Sequence, residues 1–377
     1  MALLGRAVHA CVEDTQMTSR GSGSKRVSRR TALGFLGTAV GAAVASACRQ
    51  GGIGRPPDGH GRQARGRTII RTVQRDIAPA ELGTGALLFH EHLSMNLSTP
   101  RVRHYTEDVD LMVAEARAAR SDGLACIVDG GHPDMNRSID ALRRIMAESG
   151  LAVVASGGYY LQRFYPPELS AKSAELLAEE LVQEARADRL GAFGEIGQSN
   201  EMTADERKVF LAVAKAHLAT GVPIFTHNAY ASKAAPPVPR DAALRQLDLL
   251  ERAGVDTRHV AIGHVCCLDD PKAEVAREVA KRGAYVGFDR VTLEFLPDTQ
   301  RIAMILALLD AGYGDHLLLS SDFSVEKALK TRGGPGLAQA FTVFGPRLRD
   351  AGVSARQVRS IFVDNPLRFL SFVPVVA

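Results

Sequence analysis

GAFGEIGQSNEMTADERKVFLAVAKAHLATGVPIFTHN, residues 191–228, decides the fold. Its first and last seven residues are short, nearly all-apolar runs. Between them Ala204–Thr220 repeats apolar side chains at helical spacing until Gly221 supplies a C-cap. A strand that is apolar throughout is one buried on both faces, the condition of a parallel strand covered by helices. The stretch reads as strand, helix, strand.

The same unit recurs on both sides. Upstream strand candidates are GALLFH (85–90), ACIVDG (125–130) and LAVVASGG (151–158); downstream ones are HVAIGHV (259–265), AYVGFD (284–289) and HLLLSSD (316–322). Helical patterning fills 108–122, 137–149, 171–188, 241–253, 270–282 and 299–311, with glycines such as Gly123, Gly150 and Gly283 near the ends. Eight such units predict an α/β protein built as a (β/α)8 TIM barrel, with an open doubly wound sheet as the alternative.

The chain has 377 residues, no Trp, 46% hydrophobic and 23% charged residues, which excludes disordered, collagen-like and disulfide-scaffold classes. Its net charge of +4 is unevenly placed. Residues 1–48 hold six basic and two acidic side chains, residues 49–75 hold seven Arg and one Asp, and residues 76–377 hold 33 basic against 39 acidic groups. The body is therefore acidic, and no nucleic-acid partner is expected.

Ser28-Arg29-Arg30-Thr31-Ala32-Leu33 precedes a charge-free, Ala/Gly-rich run ending in Ala45-Ser46-Ala47-Cys48. Paired arginines, a mildly apolar core and small residues before a cut are the parts of a twin-arginine export signal. This predicts a leader (1–48), a flexible basic tether (49–68) and the barrel (69–377), in a periplasmic or other extracytoplasmic location. Cys48 after three small residues resembles a lipobox, whose acylated cysteine would anchor the chain at the membrane. Ala45, where lipoboxes usually have Leu, leaves ordinary cleavage after Ala47 open. Beyond Cys48 only Cys126, Cys266 and Cys267 remain, an odd number that makes no disulfide framework.

A barrel of this kind builds its site at the C-terminal ends of its strands. Those positions hold His90 and His92, Asp129, Glu195, His227, His264, Asp289 with Arg290, and Asp322. Any one has a bland reading: a lone strand-end His is usually a hydrogen-bonded core residue, and Glu91 is a polar spacer. Their convergence is what points to metal. Residues i and i+2 of a strand share a face, so His90 and His92 reach one ion. Four imidazoles and two carboxylates exceed the three protein ligands of a mononuclear catalytic zinc. They suit two divalent ions roughly 3.5–4 Å apart, zinc first, with manganese, cobalt or iron accepted by the same donors.

The stretches LLFHEHL, CIVDGG, VVASGGYY, FGEIG, IFTHN, IGHVC, YVGFDR, LLLSSDFS and DNPLRFL occur in this order between Arg71 and Phe372. In them the chain resembles the phosphotriesterase family of the amidohydrolase superfamily, including its lactonases. The resemblance implies that His90 and His92 hold the more buried metal with Asp322, and that His227 and His264 hold the more exposed one. Glu195 stands where many members carry a carbamylated lysine as bridging ligand, so the chain is similar to the branch that uses Glu. It further implies attack by a metal-bridging hydroxide, with Asp322 accepting its proton, and a homodimer, a common state in that family.

Tyr160 and Arg290 match positions that line the pocket and orient the lactone in the lactonase branch. The alternatives are rim packing for Tyr160 and an ion pair with Asp289 or Glu294 for Arg290. Arginine suits a developing oxyanion or an anionic substrate group. The segment 324–345, with its glycines, Phe341 and Phe344, suits a lid or a long connector. Without Trp there is no indole wall for an aryl leaving group. A small-molecule lactone or carboxylic ester is therefore the expected substrate, with organophosphate triesters as side activity. Phosphodiester or amide hydrolysis at the same site, and a surface-tethered binding protein, are the alternatives. His104, His132, His217, His259 and His316 read as loop, helix or strand-start residues, with His132 close to the rim. Cys266 and Cys267 read as packing residues.

Overall fold

The computed structural model describes residues 67–97, 105–231, 237–293, 296–324 and 326–375. The predicted leader lies outside the described residues, as does all but the end of the predicted tether. A short antiparallel hairpin, β1 (Ile70–Arg71) and β2 (Asp76–Ile77), comes first. Eight parallel strands follow: β3 (Ala86–Glu91), β4 (Leu124–Asp129), β5 (Ala152–Gly157), β6 (Ala192–Gly197), β7 (Ile224–His227), β8 (Val260–Ile262), β9 (Tyr285–Phe288) and β10 (Leu317–Leu319). They pair in chain order from β3 to β10. The two outermost then meet: Asp322 N donates to His90 O at 3.2 Å, and His90 N donates to Ser320 Oγ at 3.0 Å. The sheet is a TIM barrel and not an open sheet. Its seam between β3 and β10 has no ladder among the described residues.

Helices α1 (Val109–Ser121), α2 (Ile139–Ser149), α3 (Ala174–Ala187), α4 (Ala204–Thr220), α5 (Ala242–Arg252), α6 (Glu274–Lys281) and α7 (Asp298–Asp310) alternate with the strands. Local chemistry sets their ends. Thr203 and Glu206 form a reciprocal capping box at the start of α4, and Gly221, in the left-handed conformation at φ 79°, stops it. No described helix is long and apolar enough to cross a membrane.

Side chains divide into two buried sets, which is why each strand is apolar throughout. Leu87, Phe89, Val128, Phe225 and Leu318 fill the barrel, joined from below by Ile70, Ile77 and Phe369. Leu88, Ile127, Val153 and Ile224 face outward onto the helices. Three short helices, α8 (Gly345–Asp350), α9 (Ala355–Arg359) and α10 (Asn365–Leu370), close the barrel after β10.

Two expectations change. The strands in 259–265 and 316–322 stop early, at Ile262 and Leu319, so their polar ends are loop residues. The segment 324–345 is no lid over the rim where it carries its phenylalanines. Glu115 of α1 accepts the Lys330 and Thr331 amides at 3.0 and 2.9 Å, Phe344 is buried, and Phe341 packs on Phe362 and beside Gly123.

Candidate metal centre

Two irregularities aim the site. Along β3, Leu87 and Phe89 point inward and Leu88 outward, so strict alternation would turn His90 and His92 onto the helices. The register with β4 slips: Leu88 faces Ile127 while Glu91 faces Asp129, three steps against two. This bulge reverses the phase, and His90 packs on the inner Phe225 with ring centroids 5.1 Å apart. β6 repeats the device, with Phe193 facing Ile224 and Ile196 facing Thr226. Both of these apolar residues stay on the outer face, and Glu195 turns into the barrel.

The other donors need no such shift. His227 ends β7 in phase with inner Phe225, and Gln246 of α5 donates to its carbonyl at 2.8 Å. His264 follows β8 in the left-handed conformation, φ 57°, as does Asp322 beyond β10 at φ 48°.

The donors form two groups joined by one carboxylate. His90, His92, Glu195 and Asp322 offer atoms within 4.8 Å of one another, and so do Glu195, His227 and His264. In the first, His92 Nε2 lies 3.0 Å from Asp322 Oδ1 and 3.5 Å from Glu195 Oε1, and His90 Nε2 lies 3.4 Å from Glu195 Oε2. In the second, Glu195 Oε2 is 2.7 Å from His227 Nδ1 and 3.4 Å from His264 Nε2. All six side chains are buried.

These residues fit a divalent cation. His90 Nε2 is buried without a hydrogen-bond partner, and the nitrogens of His227 and His264 approach to 2.7 Å. Nitrogen and carboxylate oxygen are the donors that zinc, manganese, cobalt and iron accept. The electrostatics agree. Burial opposes protonation of His264, but Asp289 and Glu195 outweigh it and raise its pKa to about 10. At His92 burial is likewise outweighed, by Asp322 and Glu195, and the pKa reaches about 9. His227 falls to about 4, because burial and then the neighbouring His264 outweigh the pull of Glu195. The carboxylates thus favour positive charge at His90, His92 and His264, whose protons an arriving cation would displace, while His227 is already held in the neutral form that ligates.

A third group, His90, His264 and Asp289, does a different job. Asp289 Oδ2 faces His90 Nδ1 and Oδ1 faces His264 Nδ1, both at 3.0 Å, so one carboxylate fixes the rings of a histidine from each half. Burial works against its ionisation, but the two histidines hold its pKa well below the carboxylate range.

Asp289 is engaged by the two histidines, and Glu294, the other acid expected near Arg290, lies outside the described residues; the ion pair seen for Arg290 is with Asp322. Arg290 Nη1 stands 3.1 Å from Asp322 Oδ2. The Tyr160 ring meets His227 edge-on at 4.9 Å and stacks on Phe164 at 5.5 Å, so it forms the wall beside the second donor group. Asp129 accepts the amides of Leu93 and Ser94 and shapes the turn after His92. His132 is buried with Nδ1 on Asp134, His217 faces the Val222 carbonyl, and Cys266 accepts the Arg290 amide at 3.3 Å.

Sequence reasoning placed Asp289 on the rim without a role and took Glu91 for a spacer. Asp289 carried a signal, as an acid beside an arginine on a rim with four histidines. Glu91 carried none, because its partners Ser321 and Phe323 are more than 200 residues away. Burial pushes its carboxyl up to about 8 against the hydrogen bonds from those residues.

Residues 68–370 match the phosphotriesterase family. The phosphotriesterase homology protein of Escherichia coli is 34% identical over 296 residues, covering 76% of this chain and 98% of that protein. Its crystal structure, which holds phosphate in the active site, superposes with a TM-score of 0.70 over 76% of this chain and 99% of its own. A lactonase from Listeria monocytogenes, 26% identical, gives a TM-score of 0.70 and covers 81% of this chain and 99% of its own. An N-acetyltaurine hydrolase of Danio rerio is 27% identical over 355 residues, covering 81% of this chain and 99% of that protein.

Proposed function

The chain belongs to the phosphotriesterase family of metal-dependent hydrolases, and on that premise we propose that it hydrolyses a lactone or carboxylic ester at a pair of divalent cations. His90, His92 and Asp322 would hold one ion, His227 and His264 the other, with Glu195 between them. The observation that carries the reading is the shared position of Glu195, whose Oε2 faces His90 of one donor group and His227 and His264 of the other, while Oε1 faces His92. Zinc is the proposed metal, with manganese, cobalt and iron as substitutes. When bound, such ions lower the pKa of water and polarise a carbonyl or phosphoryl oxygen.

The chain's own residues supply the rest. Asp322 faces His92 through Oδ1 and Arg290 through Oδ2, which leaves a carboxylate at the reacting centre to accept a proton from the attacking water. Arg290, next to it, would stabilise negative charge on the substrate oxygen. Tyr160 and Phe164 offer an aromatic wall for the ring or acyl chain.

Similarity to the Listeria lactonase supports the lactone, and similarity to N-acetyltaurine hydrolases supports a second reading, amide hydrolysis. Elemental analysis of the reconstituted protein, coupled to a panel of lactones, esters, amides and phosphate esters, tests both. Two ions per chain with lactones or esters turned over fastest is the expected result. Fastest turnover of amides gives the second reading, and one ion or none removes the binuclear centre. We further propose export through the Arg29-Arg30 leader, with Cys48 as the point of lipidation. Mass spectrometry of the mature N-terminus checks it, and an unmodified Cys48 overturns the anchor.

A further inference from the structure

Glu91 lies between His90 and His92 in sequence, yet its side chain serves the opposite wall of the seam. It is wholly buried. Oε1 accepts the Ser321 amide at 2.8 Å and the Ser321 hydroxyl at 3.0 Å, while Oε2 accepts the same hydroxyl and the Phe323 amide, each at 2.9 Å. These residues flank Asp322 on both sides. Asp322 has φ 48°, a conformation that a residue with a side chain keeps only where its surroundings impose it. Regular pairing does not impose it here, because β10 ends at Leu319 and no ladder joins it to β3 among the described residues. The bulge that turns His90 and His92 inward is what turns Glu91 the other way.

We propose that Glu91 is a positioning residue. Its carboxyl group clamps Ser321 and Phe323 and so sets the angle at which Asp322 is presented to the ion shared with His90 and His92. The affinity of that half of the centre depends on Glu91, and the affinity of the His227–His264 half does not. This rests on the metal-hydrolase reading above. Glutamine shows why the carboxyl is required: it has one acceptor oxygen and one NH2, and the clamp faces a backbone N–H on each side. One of the two amides must then lose its partner. Aspartate keeps both acceptors on a stem one methylene shorter.

The test titrates zinc or cobalt into the full-length metal-free chain, comparing wild type with Glu91→Gln and Glu91→Asp, with circular dichroism to monitor folding. The wild type binds two ions. In Glu91→Gln one ion weakens by about tenfold or more, as expected when a group supporting a ligand is lost, and the other keeps its affinity. Glu91→Asp falls between. A His227→Ala background, which disables the other half, shows the same weakening and so identifies the affected ion. Should Glu91→Gln not fold, Glu91→Asp and Ser321→Ala are read in the same titration, with selective weakening of one ion again expected. Equal affinities in variant and wild type, or equal loss of both ions from a folded variant, overturn the proposal. A wild-type chain that binds no ion overturns the underlying reading and this inference with it.

Discussion

The two donor groups that meet at Glu195 are supported in different ways. His227 ends β7 and His264 follows the neighbouring β8, and the ladder between these strands runs almost to the site, with Thr226 opposite Ile262 and the Gly263 amide on the Thr226 carbonyl at 3.1 Å. His90, His92 and Asp322 straddle the seam, where single hydrogen bonds and the Glu91 carboxyl replace a ladder. Backbone pairing fixes a residue without regard to its side chain. Side-chain clamping makes the geometry depend on particular residues, and one substitution can undo it.

Asp322→Asn breaks the seam side most severely. It removes both a candidate ligand and the proton acceptor, and kcat is expected to fall about 10²- to 10⁴-fold, with one ion lost and the His227–His264 ion retained. Turnover of the best ester substrate and metal content measure the two effects. Asp289→Asn cuts across the comparison, because that carboxylate faces a histidine from each half. Both ions should weaken by about 10- to 100-fold, read in one titration, and an effect on one ion alone would mean that the halves are oriented independently.

Chelation sharpens the contrast. Hydrogen exchange at the Asp322 and Phe323 amides should accelerate about tenfold after metal removal, while the Gly263 amide changes less than about twofold. Equal acceleration would show that the ladder confers no advantage. The smallest effect on the centre is expected from Gln246→Ala on the ladder side. Losing the bonds to the His227 carbonyl and the Thr226 hydroxyl should cost about 1–3 kcal/mol of stability and lower the thermal midpoint, with both ion affinities unchanged.

The same contrast explains what was legible in the sequence. Strands and helices were readable because each is specified by neighbours in the chain: apolar runs, helical periodicity, and stops such as Gly150 and Gly221. The rim histidines were readable because the fold says where strands end. Positions set by partners distant in sequence were not. The slip opposite Ile127 and Asp129 is a property of two strands together, and nothing in LLFHEHL marks it. His-x-His correctly placed two imidazoles on one side, but which side depended on that slip. Arg290 lay next to Asp289 in sequence and found Asp322 in space. The β1–β2 hairpin and the helices after β10 are short pieces whose formation depends on plugging and covering the barrel.

The bulges at Glu91 and Glu195 also bear on how such a centre can be altered or moved. A strand counts in twos, so one inserted residue exchanges which of its two side-chain sets looks into the barrel. The hydrophobic residues nearer the floor keep their assignments. Copying His90, His92 and Glu195 onto ideal strands of another barrel would point all three at the helices. Inserting one further residue just before Glu195 would do the same here, leaving every ligand in the sequence and two ions without their common carboxylate. The chemistry is therefore encoded partly by spacing, and a length change of one residue can abolish it as completely as a substitution.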